Sequence, residues 1–515
     1  MQYTESIVDC LKGIAKAHPE PIDWQSACEQ VKDPRRKQGQ RFSLTSILLL
    51  ALAAMLSNHL SELAIAQWGA GQSEEIKKAL GFENGVTPHQ TTIQRLFRRL
   101  NGEEIEAAFR GMFLHILNKD QEQRGECAVS IDGKVQKGRL KFEEEHGYPI
   151  HAVSLVEHQT GIVLTQGHVE KTDVETTSKQ TDVETKGKQK SQSKLTEEKE
   201  QEEQEAKKQK SELAVASRLI QHIDWQGKVL TGDALYCQRC LCSALRQAGG
   251  DYLFLVKGNQ PQLLEDLRLL FAPLAPAKRA GEGVLRLPEQ HAQTTEKAHG
   301  RLDIRSIRVS SELKGYSDWP GLEQVFEIRR CWQSKGVWKE AVRYGVTSLP
   351  ATIAIPERLL QLKRGHWTIE NGLHYVKDVT MGEDKSTVHT DNGPKIMAAL
   401  RNTVVSLLRR AGFSTIAARM RYHSTHPQAA LEVLSLSLSL FLRTHKPYVV
   451  VIERAGVHFC PDVYNDDYQN VSALLSKKGN EGASEQVFMV LGFGHFALIA
   501  SRKRKQDEGN RGATK

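Results

Sequence analysis

No stretch of this sequence strings together the ~18 apolar residues that a helix needs to cross a bilayer. The longest runs, ILLLALAAML from Ile47 and VFMVLGFGHFALIA from Val487, fall short, so no membrane span is expected. The first residues, MQYTESIVDCLKG, lack the basic-then-apolar order of a secretory signal, and the expectation is a cytosolic protein. Eight cysteines in so long a chain without such a signal read as reduced thiols, not as a disulfide framework. Three of them, Cys237, Cys240 and Cys242, crowd into CQRCLC. No second Cys or His pair stands at finger spacing, and the segment reads as helix, which argues against a zinc site. Apolar residues also nearly vanish between Lys171 and Glu212, where TDVET occurs at Thr172 and again at Thr181. Such a segment cannot bury enough surface to form a globule. Residues 172–210 are therefore read as a solvated insertion, disordered or a lone polar helix, that carries no chemistry.

What is present is enough for a folded protein. The 515 residues exceed one ordinary core, so two or more domains are expected. With 39% hydrophobic and 26% charged residues, most of the chain should fold. A formal charge of +8 and a pI near 8.9 fit a polyanionic partner, although a modest basic excess is also common on proteins that bind nothing acidic.

The spacing of apolar residues divides the chain. Residues 1–122 read as all-helical: a basic segment from Asp33 leads into a long apolar helix starting near Ser43 or Leu44. SEEIKKALGF and TPHQTTIQRLFRRL supply further helices. At CAVSIDGK the period changes to two, and the strand is expected to end at the Asp-Gly turn dipeptide. YPIHAVSLVEH and GIVLTQGHVE, separated by Gln159 and Thr160, read as a hairpin. Helix SELAVASRLIQHI, strand KVLTGD, helix CQRCLCSALRQAGG, strand DYLFLVKG and helix PQLLEDLRLLF follow. Three strands and then alternating helices and strands predict an α/β fold with a mixed sheet covered by helices. Residues 272–349 are loop-rich with strand-like runs, helices resume over 350–430, and 431–515 form an extension to which no role is assigned.

Three acids stand out by placement. Asp132 closes the first strand of the sheet, Asp233 follows KVLTG, and Glu370 lies on a helix after the β-rich stretch. If the two strands are neighbours, both aspartates emerge at one sheet edge, where loops build sites. A helix packed across that edge brings the glutamate to them. Converging carboxylates repel one another unless cations neutralise them, and hard oxygen ligands suit Mg²⁺ or Mn²⁺. A pair of such ions can serve phosphoryl transfer. Taken singly, each acid reads more readily as ordinary structure: Asp132 as a hairpin-turn residue, Asp233 as a loop residue and Glu370 as a solvated helical acid.

Their surroundings decide between these readings. DPRRKQGQRFSL, SIDGK, LTGDALYCQ, GGDYLFLVKGNQP, HGRLDIRSIRV and HWTIENGLHYVKDVTMGEDKS, in this order from about Asp33 to Ala430, resemble the bacterial insertion-sequence transposases of the H-repeat-associated type, a DDE family. The resemblance implies an RNase H-like catalytic core over residues 123–430, with residues 272–349 as a β-rich insertion. It also implies that Asp132, Asp233 and Glu370 are catalytic and bind Mg²⁺ or Mn²⁺, two ions in all. Related transposases place a tyrosine and an arginine before this glutamate and a lysine after it, to grip phosphates. Here the lysine is Lys377, two helical turns from Glu370 and expected on the same face. His366 stands at the arginine position and Lys363 at the tyrosine position, and a shift of two residues turns Arg364 well away.

DNA contacts are expected elsewhere too. Arg95, Arg98 and Arg99 lie on a helix preceded by another, which suits a helix-turn-helix-like reader, or else forms a solvated basic face on a core helix. Arg35 and Arg41 lie in a basic stretch that could meet backbone phosphate. Lys257 and Asn259 in VKGNQ either touch phosphate or shape a loop. The reading is a DNA transposase that binds the terminal inverted repeats of its element and, as a homodimer in a synapse, performs metal-dependent cleavage and strand transfer into target DNA. The alternatives are a catalytically inactive DNA-binding relic or repressor, and a non-transposing RNase H-like nuclease.

Overall fold

The computed structural model describes residues 22–124, 127–136, 151–169, 212–272, 290–298, 301–334 and 337–435, and four later strands, 448–453, 456–460, 486–492 and 495–501. The solvated insertion expected at 172–210, the N-terminal peptide and the basic C-terminal end lie outside the described residues. The chain divides into two compact units, residues 1–436 and 437–515.

The first unit begins with helices α1 (Trp24–Glu29), α2 (Leu44–Leu56), α3 (Glu62–Ala70), α4 (Glu74–Ala79), α5 (Gln90–Arg99) and α6 (Gly102–Arg124). Polar caps set several of these starts. The Ser43 hydroxyl accepts from the Ser46 N–H, and Ser61 and Ser73 cap α3 and α4 in the same way. The apolar run expected as a single long helix breaks after Leu56, where Asn58 adopts φ 66° and turns the chain into α3.

By length and composition Lys37–Leu56 passes for a membrane-spanning segment. In the fold it is the centre of a helical core, and Ile47 to Leu56 are buried without exception. Around α2 pack α1, α3 and three helices from the far end of the unit, α11 (Gly393–Arg410), α12 (Ile416–Thr425) and α13 (Pro427–Val433). Trp24 Nε1 donates to the Leu434 carbonyl at 2.8 Å and closes the assembly across 410 residues.

The sheet follows. Strands β1 (Cys127–Val135), β2 (His151–Glu157) and β3 (Val163–His168) form an antiparallel meander; the helix 212–221 is α7. Then come β4 (Lys228–Gly232), α8 (Arg239–Gln247), β5 (Asp251–Val256) and α9 (Pro261–Phe271), with β4 parallel to both β1 and β5. The β-rich stretch contributes β6 (Gln290–Ala298), β7 (Arg301–Ser310), β8 (Gln324–Ser334) and β9 (Val337–Thr347). β9 pairs antiparallel with β5, so one mixed sheet of nine strands runs β3-β2-β1-β4-β5-β9-β8-β7-β6. The α/β class expected from the strand and helix alternation is the class observed.

Helix α10 (Pro356–Gly365) packs on β1, β5, β6 and β7. Its Leu359, Leu360 and Leu362 enter the core with Leu253, Leu255 and Phe326. β1 is longer than expected and does not turn at Asp132-Gly133, because β2 keeps pairing with it as far as Val135 opposite His151. Gly133 serves close approach instead, since a Cβ there would collide with the Glu212 carboxylate. The second unit contains a four-stranded antiparallel sheet in the order β11-β10-β12-β13, built from β10 (Tyr448–Glu453), β11 (Gly456–Cys460), β12 (Gln486–Gly492) and β13 (His495–Ser501).

Candidate metal centre

The register of β1 and β4 sets the two aspartates side by side. Ser130 pairs with Thr231, and two residues further along each strand stand Asp132 and Asp233. Asp132 is still inside β1, opposite Ser154 of β2, whereas β4 has ended before Asp233. Asp233 caps the tight turn Ala234–Tyr236, its Oδ1 accepting from the Leu235 N–H at 2.9 Å.

Glu370 reaches the edge from a π-helical segment. After α10 the chain winds with i→i+5 bonds over Glu370–His374 and Val376–Thr380: the Tyr375 N–H donates to the Glu370 carbonyl and the Met381 N–H to that of Val376. Glu370 keeps 62% of its side chain exposed, while His374, four residues on, is 7% exposed. The His374 Nδ1 stands 3.3 Å from Glu370 Oε2 and 3.4 Å from Asp132 Oδ2. One donor atom each from Asp132, Glu370 and His374 lies within 4.8 Å of the others. Asp233 is outside that group but near enough to act on Asp132 electrostatically.

Crowding shows in the electrostatics. Burial first, and then the neighbouring Glu212, Asp233 and Glu370, push the Asp132 carboxyl up to about 7. Burial, reinforced by Lys377 and Lys134, pulls the His374 imidazole down to about 3 and keeps it neutral. Glu212 stands behind the site, accepting from the Tyr236 hydroxyl, with His151 Nε2 at 3.2 Å from its other oxygen. Lys363, on the last turn of α10, is pulled down to about 8 by burial and by Arg343, against the pull of Asp233 and Asp132.

Lys377 is not where a regular helix would put it. The wider π turns no longer return residue 377 to the face of residue 370. Lys377 is 2% exposed, donates to Gln166 Oε1 at 3.0 Å and lies 3.5 Å from Glu383 Oε1, so the expected phosphate contact is corrected to a buried ion pair. His366 is likewise interior: its carbonyl accepts from the Ser130 hydroxyl at 3.2 Å and its Nδ1 lies 3.3 Å from Thr231 Oγ1. Arg364 pairs with Glu296 on β6.

Other expected contacts separate into used and exposed groups. Asn259 Nδ2 donates to the Ala234 carbonyl at 2.7 Å and Gln260 Nε2 to that of Cys237 at 3.0 Å, so these amides brace the turn after Asp233 and shape the loop. Lys257 beside them is exposed. Arg35 pairs with Asp33 at 2.7 Å and donates to the Phe42 carbonyl at 2.9 Å, so its guanidinium already has partners within the fold. Arg98 is half-buried beside Glu62, and Arg99 donates to the Pro34 carbonyl at 2.5 Å. Arg41 and Arg95 are exposed.

Sequence reasoning missed His374, Glu212 and Glu383 as neighbours of the site, and placed Lys363 only as a departure at the tyrosine position. Glu212, an acid opening the otherwise apolar helix ELAVA, was the one with a visible signal.

Comparison with known proteins gives two family matches. A model described as "Transposase DDE domain" matches residues 200–407, and one described as DDE_Tnp_1-associated matches residues 26–112. Asp233 and Glu370 fall inside the first match; Asp132 precedes it. The chain is 26% identical over 388 residues to the "H repeat-associated putative transposase YhhI" of Escherichia coli K12, covering 73% of this chain and 88% of that protein. It is 25% identical over 382 residues to the "Putative transposase YncI" of Escherichia coli O157:H7, covering 73% and 84%.

Proposed function

Because the chain belongs to the DDE transposase family, we propose that it binds the terminal inverted repeats of its own insertion element and cuts and rejoins DNA there. What supports this reading is that parallel β1 and β4 lead to Asp132 and Asp233 in register, and that Asp233 and Glu370 both act electrostatically on Asp132. The core is read as RNase H-like, supported by the antiparallel β1-β2-β3 meander flanked by parallel β4 and β5. The helices up to residue 122 are assigned to DNA binding and residues 123–430 to the chemistry.

The donor set fits a divalent cation: an Asp132 carboxyl held up to about 7 by burial and then by neighbouring acids gains from a positive charge placed among them. Asp132, Asp233 and Glu370 would hold Mg²⁺ or Mn²⁺. Two bound ions would supply activation of the attacking oxygen and charge stabilisation of the leaving one. The chain itself fixes the carboxylates. β1 is paired on both sides, by β2 and β4, and Asn259 and Gln260 brace the Asp233 turn through its carbonyls. Lys363 and exposed Lys257 put positive charge beside the acids, where a scissile phosphate would sit. Water, and then the freed 3′-hydroxyl, attacks phosphorus in line with the departing oxygen, so one site serves both steps. Exposed Arg41 and Arg95 are assigned to backbone phosphates, and a homodimer in the cytoplasm would bring two element ends together.

The test is purified protein with labelled element-end DNA and Mg²⁺ or Mn²⁺, wild type beside Glu370→Gln. Cutting and joining by wild type alone, with end binding kept by both, is the expected result. Cutting retained by Glu370→Gln defeats the assignment; binding without cutting by either protein favours an inactive DNA-binding relic or repressor.

A further inference from the structure

The three-carboxylate reading leaves one side chain at the centre unused. We propose that His374 is an additional ligand of the same centre through Nδ1, making it a mixed carboxylate–imidazole site that favours Mn²⁺ over Mg²⁺. The proposal rests on the reading that Asp132 and Glu370 hold a divalent ion.

Geometry is the first argument. Nδ1 lies 3.4 Å from Asp132 Oδ2 and 3.3 Å from Glu370 Oε2. Neighbouring donors at ~2.1 Å from one octahedral ion stand about 3 Å apart, so Nδ1 already has nearly the separation from each acid of ligands sharing a shell, and the two acids lie within 4.8 Å of each other. Asp233, the remaining acid, is not in this close group.

The second argument is how the ring is held. It is 7% exposed and sits on a π-helical turn, a winding that recurs at functional sites. The turn sends Glu370 and His374 to the same edge while carrying Lys377 inward. His374 is thus anchored by packing and presents only Nδ1 to the acids.

The third argument is the chemistry of the donors. Nε2 is buried and has no hydrogen-bond partner among the described residues, so bonding through Nδ1 must offset the cost of an unpaired N–H on that side of the ring. Mg²⁺ demands oxygen donors and gains little from the nitrogen, whereas Mn²⁺ accepts it more readily.

Full-length protein loaded with Mn²⁺ alone, without DNA, provides the test. Pulsed electron paramagnetic resonance should show a directly coordinated ¹⁴N in wild type and none in His374→Gln. By titration calorimetry His374→Gln should lose about tenfold or more in Mn²⁺ affinity, with Mg²⁺ affinity changed no more than about threefold. Circular dichroism confirms that the variant folds; should it not, the wild-type ¹⁴N signal alone decides. Mn²⁺ bound without ¹⁴N coupling, yet lost in Asp132→Asn, overturns the His374 assignment and spares the carboxylate site. Mn²⁺ binding that Asp132→Asn and Glu370→Gln leave unchanged overturns the underlying reading as well.

Discussion

Replacing Glu383 with Gln removes one charge and almost no volume, and the structure says what that charge holds. The carboxylate is 0% exposed, with Lys134 Nζ at 3.1 Å, Lys377 Nζ at 3.5 Å and Arg401 Nη1 at 3.5 Å. The three cations come from β1, the π-helical segment and α11, so one anion joins the elements that carry Asp132 and Glu370 to the helical core. Although burial opposes the charge, Lys377, Arg401 and Lys134 bring Glu383 down from 4.5 to about 2. That gap favours the ionised form in the fold by ~3 kcal/mol. Removing one partner of a buried pair typically costs ~3–5 kcal/mol. Lys377, which burial and its cationic neighbours already hold below the usual lysine value, can shed its proton in the variant, which places the expected loss near the lower end, ~3 kcal/mol. Urea unfolding of the full chain at pH 7, followed by tryptophan fluorescence, measures it. Because the folded-state value is depressed, the contribution is present above 4.5 and fades as pH falls toward about 2. The difference between wild type and variant should therefore be constant from pH 7 to 5 and shrink in more acid solution. A loss below ~1 kcal/mol, or a difference unchanged by acid, would refute the ionic account.

Two further outcomes follow from the described contacts. Arg41→Ala and Arg95→Ala should each weaken end binding across sequences and lower the salt slope by about 1, whereas Arg35→Ala should lower the melting temperature through its lost bonds to Asp33 and Phe42; filter binding at several salt concentrations, beside thermal melts, separates the two. Asp132 has a raised folded-state value of about 7 against 3.8, so its contribution to metal-free stability is greatest below 3.8 and is lost as pH rises through about 7. Mn²⁺ should accordingly raise the melting temperature more at pH 8 than at pH 5.5, and equal shifts at both would show that Asp132 is not among the acids the ion relieves.

Local pattern carried much of the fold into view. Alternation marked β1 and short apolar runs marked β2 to β5, and the position of Asp132 and Asp233 at the ends of two such runs anticipated their neighbouring places, because parallel pairing of Ser130 with Thr231 sets them side by side. What stayed hidden depends on long-range contacts. β6 is QHAQTTEKA, too polar to announce a strand, and exists through its pairing with β7. The merger of the β-rich stretch with the main sheet rests on β9 meeting β5, some 90 residues apart in sequence. The π winding was the costliest omission. A spacing of seven suggested that Lys377 and Glu370 share a face, but the partner that draws Lys377 inward is Glu383, itself fixed by Lys134 far back on β1. His374 could not be placed without that winding.

The packing of α2 against α11, α12 and α13 bears on how the chain comes into being. Translation at ~5–20 residues per second takes on the order of tens of seconds to travel from α2 to α11. Through that interval the most apolar helix of the first unit has only its early neighbours for cover, and Trp24 waits for the Leu434 carbonyl. The N-terminal helices therefore cannot mature as the nascent chain lengthens; they become complete only when the end of the first unit leaves the ribosome, and until then a chaperone has an apolar surface to hold.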